Sequence, residues 1–286
     1  MSTILVLGGT GKTGRRIAPR LRAAGATVRT AARKNADVRF DWHDPSTYDA
    51  ALAGAAAVYV VAPDFDLGYV GYAVQLFDRS EAAGVRHVTF LSARGVELAP
   101  PENAHRAVEL ELGRRTAFTH SILRPGWFMQ DFDEFFFAPT IVSDGIVVAP
   151  TGDGAEAFIH ADDIADVAAA TLLDPDAHAG AEYTLAGPEA LSFAQVAEKI
   201  TAASGRAVRH VDPSPEAWRD DLMANGVPAD YAQLLADLTG LIRASANGPT
   251  DDVERVTGRP PRSFDAYAAE RNVVAAWTAA SAPAPA

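Results

Sequence analysis

The sequence predicts an α/β protein, a doubly wound parallel sheet followed by a smaller C-terminal helical and mixed region that caps the substrate. Three observations predict it. Short apolar runs alternate with stretches of helical period through the first half of the chain. A glycine-rich turn, GGTGKTG at residues 8–14, joins the first apolar run to the first helical stretch. Residues 55–63, AAAVYVVAP, form the continuous apolar run expected of a strand buried on both faces.

Taken in order, residues 3–7 read as a strand and residues 15–24 as a helix closed by Gly25. Residues 27–33 give a second strand, residues 38–40 a brief third that runs into Asp41, and residues 55–63 the fourth. Residues 68–84 carry helical period up to Gly84, and residues 87–93, HVTFLSA, make the fifth strand. SILRPGWF supplies a sixth strand ending at Pro125, and GIVVAP another short one. FIHADDIADVAAATLLDP reads as a strand end, an acidic helix start and a long apolar helix. Ser192 with Gln195 three residues on is a capping box for a helix stopped by Gly205. Residues 215–257 read as short helices interrupted at Asn225-Gly226. The expected domains are a core over 1–150 whose sheet is completed by residues 155–185, a cap over 186–275, and a flexible Ala/Pro-rich tail over 276–286.

Composition narrows the function. The 286 residues carry a formal charge of −12, which argues against nucleic acid or an anionic membrane as partner, because either needs a basic face. With no cysteine, disulfides, thiolate catalysis and cysteine metal sites are excluded. The opening residues run straight into a strand, so neither a signal peptide nor a membrane span is expected. The expected setting is the cytoplasm, the expected partner a hydrophobic small molecule, and the expected state a monomer or homodimer.

The turn at residues 8–14 has two readings. A P-loop needs a glycine at position 6, where Val6 stands, and a magnesium-binding acid at a strand end, where Asp64 follows Pro63. A dinucleotide turn needs Gly8 for the tight turn, Gly11 for backbone approach to pyrophosphate and Gly14 for close packing of helix on sheet. The second fits, so Gly8, Gly9, Thr10, Gly11, Lys12, Thr13 and Gly14 are expected to hold the cofactor, with Ala62 and Pro125 at neighbouring strand ends. The second strand ends AARK; Arg33 replaces the acid that takes the ribose hydroxyls of NAD, which favours NADP(H) over NAD(H). Arg33 and Lys34 also read as a solvated surface pair, with Lys12 or Arg15 sharing the phosphate. Asp41 either accepts from the adenine amino group or caps the helix at Pro45.

The set GGTGKTG, AARK, LSARGVE, SILRPGWFMQDF, FIHADDIADVA and LAGPEALSFAQVA resembles the atypical, NmrA-like branch of the extended short-chain dehydrogenase/reductases, over residues 3 to about 264. Within it the chain is similar to the festuclavine and agroclavine dehydrogenases, which reduce an iminium carbon with NADPH. The resemblance implies a Rossmann oxidoreductase. It also exposes a departure: ordinary members use a Tyr and a Lys four residues on, whereas no Tyr lies between Tyr72 and Tyr183. The Lys position falls on His105 and the Tyr position on Pro101. Ser92 matches the family's catalytic Ser and reads equally as a strand-end hydroxyl. His105 reads as a proton donor, a ribose ligand or a surface partner of Glu109 one turn on.

The missing donor bears on substrate. Hydride added to a ketone makes an alkoxide that must be protonated, whereas an iminium ion or conjugated acceptor gives a neutral amine or a stabilised anion. The chain is therefore expected to reduce an imine, iminium, quinone-like or dye-like molecule; a non-catalytic NADP(H) sensor and an isomerase or hydratase are the other readings. Trp127, Phe128 and Met129, with Phe132 and residues 135–137, are an aromatic stretch that reads as core or as a flat pocket. His160, Asp162 and Asp163 read as helix-start residues, with no metal expected.

Overall fold

The computed structural model describes residues 3–244 and 247–278. In chain order the elements are β1 (Thr3–Leu7), α1 (Gly14–Ala23), β2 (Thr27–Ala32), β3 (Val38–Arg39), α2 (Tyr48–Leu52), β4 (Ala55–Val61), α3 (Val70–Ala82), β5 (His87–Leu91), α4 (Ala104–Arg114) and β6 (Thr119–Pro125). There follow α5 (Ala138–Asp144), β7 (Ile146–Val148), β8 (Ala155–Glu156), α6 (Ala161–Leu173), β9 (Glu182–Leu185), β10 (Leu191–Ser192), α7 (Phe193–Ser204) and β11 (Arg209–Val211). The last are α8 (Pro215–Ala224), α9 (Ala229–Ala244), α10 (Asp252–Thr257), α11 (Phe264–Ala268) and α12 (Arg271–Thr278).

Seven strands form one sheet in the order β3-β2-β1-β4-β5-β6-β9, and every pairing is parallel. The apolar runs explain this: Leu5, Leu7, Val58, Val60, Val88 and Phe90 are buried, as strands covered on both faces require. The chain winds outward from β1 to β3, then crosses back to β4 and winds the other way. The carboxyl ends of β1 and β4 thus flank the switch point, where open α/β sheets bind ligands. This is the expected Rossmann class. Sequence reading had six of the seven strands: β9 was missed because EYTL is short and its outer residues are polar.

The chain divides into two compact units, one of Met1–Pro125, Ala161–Leu185 and Asp252–Arg259, the other of Gly126–His160, Ala186–Asp251 and Pro260–Ala286. The change at Leu185/Ala186 coincides with the expected start of the second region, whereas the first unit's leading segment ends at Pro125 rather than at 150. The chain leaves the sheet at Pro125 because the apolar side chains that follow, among them Phe132, Phe137, Val147 and Phe158, belong to the core of the second unit. GIVVAP gives β7, which pairs with β11 in a separate two-stranded sheet. Within the first unit, the Asp252 carboxylate accepts the Thr184 N–H of β9 at 2.6 Å, and Arg255 lies over the Tyr183 ring, so α10 sits on the sheet edge rather than in a cap. Of the expected flexible tail, residues 276–278 end α12, where Trp277 is buried and donates its indole N–H to Phe132 O at 2.7 Å; the remainder lies outside the described residues. No described helix is long and apolar enough to cross a membrane.

Candidate active site

The turn between β1 and α1 is built by contacts only glycine allows. Gly8 has φ +62°, and a Cβ there would meet the Val61 side chain at 2.7 Å. A Cβ on Gly14 would stand 2.2 Å from Gly8 O, and one on Gly9 2.6 Å from Thr30 Cβ. Gly9 N–H donates to Ala31 O and Gly11 N–H to Gly8 O, so the loop folds back on the sheet and carries Thr10 and Gly11 outward, exposed. The Thr13 hydroxyl instead faces inward, accepting from the buried Tyr59 phenol at 2.9 Å; burial raises that phenol's pKa. Helix α1 starts with no side-chain cap and no acid in its first turn. An uncapped helix N-terminus behind a glycine loop fits the pyrophosphate of a dinucleotide, because its N–H groups and dipole favour an anion.

At the end of β2, Asp37 accepts from Thr30 N and Oγ1, each at 2.8 Å. Phe40 N–H donates to Ala32 O. These bonds pin a tight turn in which Asn35 has φ +58° and from which Arg33 and Lys34 project, exposed and without a charged partner among the described residues. After β3, Asp41 Oδ1 accepts from His43 N at 3.1 Å, while the cap of the turn at Pro45 is Asp44, bonded to Ser46. Asp41 is therefore not that cap: it lies three residues before Asp44, and its Oδ1 is taken by His43 N instead. His43 bonds Asp66 at 2.9 Å, joining the loops after β3 and β4.

The register aligns Val61, Leu91 and Leu123 across β4, β5 and β6, so Ala62, Ser92 and Arg124 follow side by side at the carboxyl edge. The Pro125 carbonyl ends that edge by accepting the Arg94 N–H at 2.9 Å. Ser92 Oγ donates to Glu109 Oε1 at 2.6 Å. Arg124 grips the same carboxylate with Nε and Nη2, both at 2.8 Å, and Arg106 adds a contact at 2.9 Å. Arg124 Nη1 reaches Glu182 at 2.6 Å. Burial pushes the Glu109 pKa up, but the bonds from Arg124 and Ser92 outweigh it and hold the carboxyl below the usual range.

Glu109 is thus buried, 3 % exposed, and is not the surface partner of His105. The helical spacing was read correctly, but the face was not: α4 turns Val108, Glu109 and Leu112 inward. His105 is enclosed by the rings of Tyr69 and Phe90, at 5.7 and 6.1 Å, and burial lowers its pKa to about 4 against an opposing pull from Glu109. It is neutral at physiological pH.

In the second unit, Met129 is buried in the core, its N–H bonded to Ile159 O at 2.9 Å, so the methionine expected at the substrate packs inside instead. Trp127 is half-buried, stacked on Phe137 at 6.1 Å, and Phe128 is half-buried and bridged to Ile159. Phe132 and Phe137 are core, and Phe135 is exposed. His160 Nε2 lies 2.9 Å from Gln130 Nε2 and 3.2 Å from Glu270 Oε1, and the Tyr267 phenol donates to Asp133 at 2.7 Å. Within the first unit, Asp162 pairs with Arg16 and Arg20, and Asp166 with Arg20 at 2.5 Å. Sequence reading did not single out Arg124 or Glu182. One sign of Arg124 was available, an arginine inside the apolar run SILRP, which demands a buried anion.

Fold, glycine cradle and exposed cationic turn define a dinucleotide-binding protein of the Rossmann class. Residues 1–263 match the model of the NmrA-like family, and the chain belongs to that family. It is 39% identical to the "Uncharacterized oxidoreductase YesF" of Bacillus subtilis over 96% of each chain. It is 33% identical to "Festuclavine synthase I" of Penicillium roqueforti over 93% of this chain and 97% of that one. Among solved structures it is similar to the Escherichia coli NADPH-dependent quinone oxidoreductase QOR2 in complex with NADPH, with a TM-score of 0.75 at 22% identity over 93% of this chain and 98% of that one.

Proposed function

We propose that this NAD(P)H-dependent oxidoreductase reduces a hydrophobic imine, iminium or conjugated quinone-like or dye-like molecule, with NADPH preferred over NADH. The observation that carries this is the state of two polar groups: Ser92, at the strand edge, gives its proton to Glu109, and His105, on α4 beside the Tyr69 and Phe90 rings, is held toward its neutral form by burial. Neither is a ready acid for a developing alkoxide. A bound nicotinamide would supply a hydride; an iminium carbon accepting it would become a neutral amine with no proton required, and a quinone would need one proton more, available from solvent. The chain's own part is then to bind and orient. Gly8 to Gly14 and the α1 amides would hold the pyrophosphate, Arg33 and Lys34 the 2′-phosphate, and Asp41 the adenine. The names of the clavine synthase and quinone oxidoreductase relatives support acceptors of this kind.

The test is NADPH and NADH titration, followed by NADPH oxidation with a cyclic imine, a quinone, a cationic dye and a simple ketone. Tight NADPH binding with turnover of the first three acceptor types and not the ketone is expected. Binding without turnover of any acceptor overturns the reading in favour of a dinucleotide-binding regulator.

A further inference from the structure

Ser92 stands at the carboxyl edge of the sheet between Ala62 and Arg124, the edge that faces the ligand in open parallel sheets. A serine hydroxyl has one proton to give and lone pairs that accept. Oε1 of Glu109 receives Ser92 Oγ at 2.6 Å and Arg124 Nε at 2.8 Å, while Oε2 receives Arg124 Nη2 at 2.8 Å and Arg106 Nη1 at 2.9 Å. Two guanidinium groups on one buried carboxylate keep it ionised, and an ionised carboxylate only accepts. The proton of Ser92 therefore lies on the Glu109 side, and what Oγ has left for a ligand is a lone pair. A carbonyl oxygen or oxyanion at that place would meet lone pair with lone pair.

We propose that Glu109 is a positioning residue that, by taking the Ser92 proton, fixes Ser92 Oγ as a hydrogen-bond acceptor, so that this position selects an N–H donor on the ligand. Two sources carry that chemistry: the carboxamide NH₂ of the nicotinamide, and the N–H of a reducible iminium substrate. The second rests on the reductase reading above; the first does not.

Substitution Glu109→Gln reverses the polarity. An amide nitrogen at the Oε2 position would oppose two guanidinium donors, so it turns to the Oε1 position, where it opposes one and donates to Ser92 Oγ. Ser92 is then free to donate outward.

Two pairs of ligands read this. The cofactor pair is NADPH and its 3-acetylpyridine analogue, which carries a methyl in place of the amide NH₂, compared by Kd. The substrate pair is a cyclic iminium with N–H and its N-methyl counterpart, compared by kcat/KM. The wild type is expected to favour the N–H member of at least one pair by about three- to tenfold, the worth of one hydrogen bond. Ser92→Ala should remove the preference, Ser92→Thr should keep it, and Glu109→Gln should bring it to parity or invert it. The pair that responds names the donor. A preference absent from both pairs in the wild type, or unchanged in Ser92→Ala or in folded Glu109→Gln, overturns the proposal; so does an equal loss on both members, which is what a purely structural role gives. If Glu109→Gln does not fold, Ser92→Ala against Ser92→Thr decides alone. If no acceptor is turned over, the reductase reading fails, while the cofactor pair still decides this proposal by binding.

Discussion

Single residues divide into those whose role follows from a missing atom and those whose role follows from a charge. Gly14 is of the first kind: its added Cβ would lie 2.2 Å from a backbone oxygen that cannot move without unfolding the turn. Gly14→Ala should therefore lose about 1–3 kcal/mol of stability and weaken NADPH binding, read by thermal melting and cofactor titration. Arg33 is of the second kind. Exposed on a pinned turn, it is available to a 2′-phosphate, and Arg33→Ala should weaken NADPH by about tenfold or more while leaving NADH nearly unchanged. Equal loss for both cofactors would remove Arg33 from the site. Both residues were legible in the sequence, since a glycine spacing and a basic strand end are local signals. Glu109 was not: nothing local tells which face of an amphipathic helix a lone acid takes when its partner, Arg124, arrives on a later strand.

Elements are joined by buried charge as well as by apolar packing. Helix α4 is tied to β6 by the bidentate Arg124–Glu109 pair, and β6 to β9 by Arg124–Glu182. Arg124→Met would leave the Glu109 carboxylate buried with much of its compensation gone, and a destabilisation of about 3–5 kcal/mol is expected in urea unfolding. Double replacement, Arg124→Met with Glu109→Leu, should recover a large part of that loss, since it is the stranded charge and not the missing pair that is expensive. On the other side of the sheet, α1 is held to α6 by Arg16 and Arg20 against Asp162 and Asp166. The acidic start of α6 looked like an N-terminal charge pattern alone; its service to a neighbouring helix appears only when the two helices meet.

At the scale of the whole molecule, stability is tied to pH through buried histidines. His87 lies inside the sheet, bonded to Thr119 at 2.8 Å, and burial with the nearby His120 and His178 lowers its pKa to about 4. His105 is also held near 4 by burial. For each, the unfolded chain binds the proton more readily than the folded one, so the stability is complete above about pH 6.5 and declines as pH falls from there toward 4. His87 alone should remove about 3 kcal/mol across that window. Melting temperature measured from pH 7.5 to 4.5 should therefore drop on the acid side, and His87→Gln, which keeps a hydrogen-bonding side chain without the titration, should flatten the drop. A slope unchanged by that substitution would assign the acid sensitivity elsewhere.

By itself the sequence determined the fold class, the strand order's starting pattern, the glycine turn and the cationic end of β2, because each is written in neighbouring residues through period, glycine spacing or charge. Tertiary structure alone decided where the chain leaves the sheet, that α10 returns to it, that Met129 packs inward, and that Ser92 gives its proton to Glu109. Those outcomes depend on which distant segments meet, and the energy of a buried polar or apolar group is fixed by what surrounds it, not by its place in the chain.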